Sequence, residues 1–155
     1  MTPAINLAKK AKITHKIHEY EHDAASKSYG LEASEKLGVP EGQVFKTLVV
    51  NLDSKELAVG VVPVCSMLSM KSIAKAVGAK KATMAAQLDV ERATGYVLGG
   101  VSPLGQKKRL KTIIDTSAKN YDTIYISAGR RGLEIELSPN DLAKLVSGIF
   151  AGIYQ

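Results

Sequence analysis

The chain has 155 residues, 45% hydrophobic and 23% charged, which suits a globular unit with a real core. Its single cysteine excludes an internal disulfide framework, no apolar run approaches the ~20 residues of a membrane span, and Met1 to Lys10 lacks the apolar stretch of a signal peptide; a cytoplasmic protein is the expectation. A net charge of +6 favours a polyanionic partner, and with two Phe, six Tyr and no Trp the chain fits a phosphate backbone better than many stacked bases.

Thr2-Pro3 opens a helix, with Thr2 as N-cap and Pro3 at the first helical position. Residues 16–22 read as an edge strand. Leu31 to Leu37 reads as a short helix closed by Gly38 and Pro40. Val44–Leu52 and Leu57–Val64, rich in Val and Leu and separated by Asp53-Ser54-Lys55-Glu56, predict a β-hairpin. Ser69 caps a helix that Gly78 stops. A short strand at Ala82–Met84 and one or two helical turns at Gln87–Ala93, ended by Gly95, come next. Strands follow at Tyr96–Leu98, Thr112–Asp115, Thr123–Ser127 and Leu133–Leu137. Ser138-Pro139-Asn140-Asp141 starts a last helix running to about Phe150. The hairpin forbids an all-parallel sheet, and no linker or repeat divides the chain. The expectation is a single α+β domain over residues 1–155, built on a mixed, largely antiparallel sheet.

The segment Thr94-Gly95-Tyr96-Val97-Leu98-Gly99-Gly100-Val101-Ser102-Pro103-Leu104-Gly105 reads as a buried strand that ends in a rigid loop. Glycine lets a ligand approach the main chain, and proline stiffens the exit. Backbone N–H groups fixed in this way suit an anion or a polarised carbonyl oxygen. The same residues also make ordinary connectors. Gly100 and Gly105 have P-loop spacing, but Gln106 replaces the phosphate lysine, which excludes a nucleotide-phosphate loop.

Lys46 shares a strand face with Leu48 and Val50, so it either snorkels out at the sheet's end or sits in a pocket. A pocketed ammonium could bind a carbonyl, phosphate or ribose oxygen, or act as a base if its pKa fell. His15, His18 and His22 have spacings that converge on a helix, yet they lie in a strand segment without a fourth ligand. No metal and no cofactor are expected. Cys65, after Pro63-Val64, reads as a buried small residue rather than a nucleophile. Glu134 and Glu136 alternate with apolar residues. Such acids usually face water, but one following Gly129-Arg130-Arg131-Gly132 could line a pocket mouth and bind an amine.

Taken together, Tyr20, Val44-Phe45-Lys46-Thr47-Leu48, the glycine loop 94–105 and Gly129 to Leu137 occur in an order that resembles the YbaK branch of the YbaK/prolyl-tRNA synthetase editing-domain family. The resemblance spans essentially the full chain. It implies that family's barrel-like sheet surrounded by helices, and a trans-editing deacylase that hydrolyses the ester of mischarged tRNA, with Cys-tRNA(Pro) as the branch's substrate. Cysteine and proline are close in size, so a synthetic pocket separates them poorly and a second hydrolytic sieve is the remedy. The resemblance carries the family lysine onto Lys46 and its Gly-x-x-x-Pro loop onto Gly99, Gly100, Val101, Ser102 and Pro103. It places Tyr20, Tyr29, Phe45, Thr47 and Glu134 around the substrate. The implied partners are mischarged tRNA(Pro), held by basic faces, and prolyl-tRNA synthetase. The nucleophile is either the substrate's own thiol or a bound water. An Ala-tRNA(Pro) deacylase and a non-catalytic tRNA-binding module remain as alternatives.

Overall fold

Capping chemistry fixes where the helices begin. The computed structural model describes residues 1–25 and 28–155, with Tyr29 described in its backbone alone. In it the Thr2 hydroxyl accepts the Ile5 N–H at 3.2 Å and starts α1 (Pro3–Lys10). Ser69 likewise caps α3 (Met70–Ala76), and Ser138 caps α5 (Pro139–Val146). Gly38 closes α2 (Tyr29–Leu37) and Gly95 closes α4 (Gln87–Thr94), both in the left-handed conformation that favours glycine.

The strands assemble into two sheets. One has the order β1 (His15–Glu19), β7 (Leu133–Leu137), β6 (Ile124–Arg130), all antiparallel. The other runs β4 (Ala82–Met84), β2 (Phe45–Leu52), β3 (Glu56–Pro63), β5 (Lys111–Asp115), β8 (Ile149–Ala151). β2 and β3 form the expected antiparallel hairpin, while β5 joins β3, and β8 joins β5, in parallel. A parallel bridge between Val44 and Tyr125 ties the sheets together just before β2 begins. The result is an α+β fold.

Two apolar cores flank the five-stranded sheet. Val49, Val59 and Val61 on one face meet α1, β6 and β7, and Val50, Ala58 and Val62 on the other meet α3. This division follows from the two-residue period of a strand. A smaller cluster, Ala33, Val44 and Tyr125, lies where α2 covers the junction of the sheets.

Three expectations are corrected. Tyr96–Leu98 is a loop rather than a strand. Here Gly95 terminates α4, the Tyr96 hydroxyl anchors to the Leu104 carbonyl at 2.6 Å, and Val97 and Leu98 stand exposed. The last helix stops at Val146 because Ser147 turns left-handed, and Ile149–Ala151 becomes the edge strand β8 instead of helix. Cys65 is exposed in the turn after β3, not buried.

Candidate functional site

Where the two sheets meet, their ends and the glycine loop enclose a cleft of about 340 Å³. Its walls include Tyr20, Phe45, Lys46, Thr47, Gly99, Val101 and Glu134, which come from β2, β7, the loop and the residue after β1. Residues far apart in the chain thus converge through strand pairing.

Lys46 is half-buried at the start of β2, opposite Val62. Burial draws its pKa below the ordinary lysine value, an effect opposed by nearby Cys65. Among the described residues its ammonium has no hydrogen bond or ion pair. Beside it the Thr47 hydroxyl is buried without a partner. Such groups are costly unless something enters the cleft to meet them.

Glu134 stands on the central strand β7, paired in register with His18 on one side and Ser127 on the other. It is 7% exposed, and burial pushes its carboxyl up to about 8. The water-facing reading of these acids therefore fails for Glu134. Glu136 is also turned inward, bound by His18 at 2.9 Å and by the Thr123 hydroxyl at 2.5 Å. Burial raises the Tyr20 phenol to about 12, with the Glu134 and Glu32 carboxylates adding to the rise.

The loop divides into two sets of residues. Gly99, at φ 92°, and Val101 line the cleft, and their N–H groups donate no hydrogen bond among the described residues. Gly100 is turned away: its N–H donates to the Val97 carbonyl at 3.0 Å, and a Cβ there would sit 2.8 Å from the Arg130 Cα. Ser102 is buried, with its hydroxyl accepting the Leu104 N–H at 3.2 Å. Pro103 is buried too and faces a separate groove. So Gly99 and Val101 line the cleft with N–H groups that meet no acceptor among the described residues, while Gly100, Ser102 and Pro103 hold the loop in shape. The side chain of Tyr29 lies outside the described residues.

Three further groups at the cleft escaped sequence reasoning. Arg131 and Ser127 line it. Behind Arg131 lies Glu32, 4% exposed, which accepts the Asp23 N–H at 2.9 Å, contacts His22 Nδ1 at 2.9 Å and lies 3.6 Å from Arg131 Nε. Burial pushes the Glu32 carboxyl up, but these partners outweigh it and hold it below the usual range. Nothing in the spacing of His22, Glu32 and Arg131 signals this cluster. The one available signal was a double arginine at a strand turn. Each histidine is otherwise engaged: His15 with the Ile13 carbonyl, His18 with Glu136, His22 with Glu32. Among the described residues no group of three His, Cys, Asp or Glu could hold a metal ion.

A family model described as the aminoacyl-tRNA editing domain matches residues 25–145. The chain is 39% identical over 153 residues to the Enterococcus faecalis protein named "Putative Cys-tRNA(Pro)/Cys-tRNA(Cys) deacylase EbsC", covering 98% of this chain and 92% of that one. It is 27% identical over 113 residues to the Bacillus subtilis protein YwhH, covering 73% of this chain and 71% of that one. Among solved structures, one described as "a putative trans-editing enzyme for prolyl tRNA synthetase" superposes with a TM-score of 0.83 at 22% identity, covering 100% of this chain and 99% of that one. Another, described as a hypothetical protein, gives 0.87 at 23% identity and covers 99% of each chain. At these identities the two structures establish the likeness of fold.

Proposed function

The chain belongs to the aminoacyl-tRNA editing-domain family, and from that membership we propose that it is a trans-editing deacylase that cleaves the ester of cysteinyl-tRNA(Pro). The observation that carries the reading is a half-buried Lys46 facing a cleft also lined by Gly99 and Val101, with the Lys46 ammonium and both loop N–H groups unpaired among the described residues. That is an arrangement for an electron-rich, uncharged or anionic group.

In this reading the aminoacyl ester enters with its carbonyl oxygen at the Gly99 and Val101 N–H groups. Donors fixed before reaction stabilise the charge that develops on that oxygen. Lys46 holds the terminal ribose or its phosphate and orients the ester bond. Glu134 takes the substrate's α-ammonium, whose charge would pull the carboxyl back to its ionised form. A nucleophile adds to the carbonyl carbon, the ester C–O bond breaks, and the terminal ribose oxygen leaves with the electron pair and gains a proton. The nucleophile is the substrate thiol, which loses its proton as the C–S bond forms. Its placement next to the carbonyl supplies much of the rate. Proline, lacking a thiol, would survive the same cleft. We further place this activity in the cytoplasm, on tRNA released by prolyl-tRNA synthetase.

The test is single-turnover deacylation of cysteinyl-, alanyl- and prolyl-tRNA(Pro) by the purified protein. Cleavage of the cysteinyl ester alone is the expected result. Equal cleavage of the alanyl ester would replace the thiol with a water. Binding without turnover of any of the three would make the chain a non-catalytic tRNA-binding module.

A further inference from the structure

On the far side of the glycine loop lies a second groove of about 320 Å³, lined by Lys107, Lys108 and Arg109 together with Leu7, Leu145 and Val146. Among the described residues its lining contains three cations and no acid. All three basic residues are exposed. Among the described residues the Lys107 and Lys108 side chains have no hydrogen bond or ion pair, and Arg109 meets only the neutral Ser147 hydroxyl. Like charges crowded on a concave surface repel one another and serve stability poorly. Elsewhere on the surface Arg130 faces Glu19 and Lys111 faces Glu56.

The groove is built rigidly. The Lys107 and Lys108 N–H groups donate to the Thr94 and Ala93 carbonyls at 3.0 and 2.8 Å, pinning the basic segment to the end of α4. Gly105 packs directly on the Pro3 main chain, and Gly100 packs on the Arg130 main chain. The loop is therefore one fixed wall, with the cleft at its Gly99–Val101 end and the cations at its Lys107–Arg109 end.

We propose that this groove is the docking surface for the phosphate backbone of the tRNA acceptor arm, gripping the substrate while its aminoacyl end reaches round the loop into the cleft. The proposal rests on the deacylase reading, and it assigns affinity and chemistry to opposite ends of one loop. Three lysine and arginine contacts would release about three condensed counterions, steepening the salt dependence of binding by roughly 2–3 in slope.

The test compares the Lys107→Ala/Lys108→Ala/Arg109→Ala variant with a control, Lys71→Ala/Lys75→Ala/Lys80→Ala, that removes the same charge near α3. Affinity for uncharged tRNA(Pro) is measured across a salt series, beside single-turnover cleavage of full Cys-tRNA(Pro) and of a cysteinyl ester of adenosine. The expected result is roughly a tenfold or greater loss of tRNA affinity with a shallower salt slope. Cleavage of the short ester should stay at the wild-type rate, and the control variant should keep its affinity and slope. Unchanged affinity and slope in the groove variant, or an equal loss in the control, would overturn the assignment. If the wild-type protein cleaves neither ester while the groove variant still loses tRNA affinity, the deacylase reading fails and the docking surface stands.

Discussion

The α3-covered end of β2 and the cleft at its start have opposite characters. The packing under α3, around Val50, Val62 and Ile73, is wholly apolar. The cleft at the other end of β2 holds a half-buried lysine without a partner, a carboxyl raised by burial and a buried hydroxyl without a hydrogen bond. The first region buries apolar side chains, while among the described residues the second leaves the Lys46 ammonium and the Thr47 hydroxyl without a partner. Unmet polar groups destabilise a fold, so a lysine, a hydroxyl and a raised carboxyl gathered in one concave site suit it to a ligand. Perturbing the apolar face should change stability and spare turnover; perturbing the cleft should do the reverse.

The largest effect on stability is expected from Ile73→Ala, which empties a fully buried site on the apolar face. It should cost about 2–5 kcal/mol in denaturant unfolding, with deacylation per folded molecule unchanged. A large drop in turnover of the folded fraction would mean that the two regions are coupled. Gly100→Val stands between the regions. The new side chain would collide with the Arg130 main chain, so we expect about 1–3 kcal/mol of overpacking and a displaced loop. Turnover should fall steeply while tRNA affinity, carried by the basic groove, changes much less. Intact turnover in a folded variant would remove the loop from the chemistry.

Glu134 sharpens the comparison through pH. Its carboxyl is raised from 4.5 to about 8, so between those values the folded chain holds a proton that the unfolded chain has released. Stability should therefore decline as pH rises from about 4.5 to about 8 and level off above. Glu134→Gln should flatten that slope, as measured by thermal melts across this range. An identical slope in the variant would mean that another group titrates. The smallest effect is expected from Cys65→Ala. This thiol is exposed, and the proposed mechanism uses none from the protein, so stability should shift by no more than about 0.5 kcal/mol and turnover should persist. Complete loss of activity with an intact fold would make Cys65 the nucleophile.

The elements with strong local chemistry were readable from sequence. Thr2-Pro3, Ser69 and Ser138-Pro139 cap their helices as expected, and the Val-rich runs around Asp53-Ser54 pair as a hairpin. Tyr96–Leu98 misled because an apolar run before glycine looks like a buried strand, whereas only Tyr96 is buried there. Ile149–Ala151 was missed because it continues an apolar pattern that Ser147 interrupts by backbone geometry alone. At the site, strand alternation placed Lys46 among apolar residues but left open whether it was pocketed. That depends on the bridge between Val44 and Tyr125, a contact between distant segments. The Glu32 cluster with His22 and Arg131 was invisible for the same reason.

The account turns on Lys46, and single-turnover cleavage of Cys-tRNA(Pro) by Lys46→Ala, with tRNA affinity and thermal unfolding measured on the same sample, tests it most directly. Loss of an electrostatic group fixed at the reacting ester should lower the rate by roughly 10²–10³-fold. Stability should hold or rise slightly, because a desolvated, unpaired ammonium has been removed. A folded variant that cleaves Cys-tRNA(Pro) at the wild-type rate would contradict the account, leaving Lys46 a snorkelling strand residue and the cleft without its proposed chemistry.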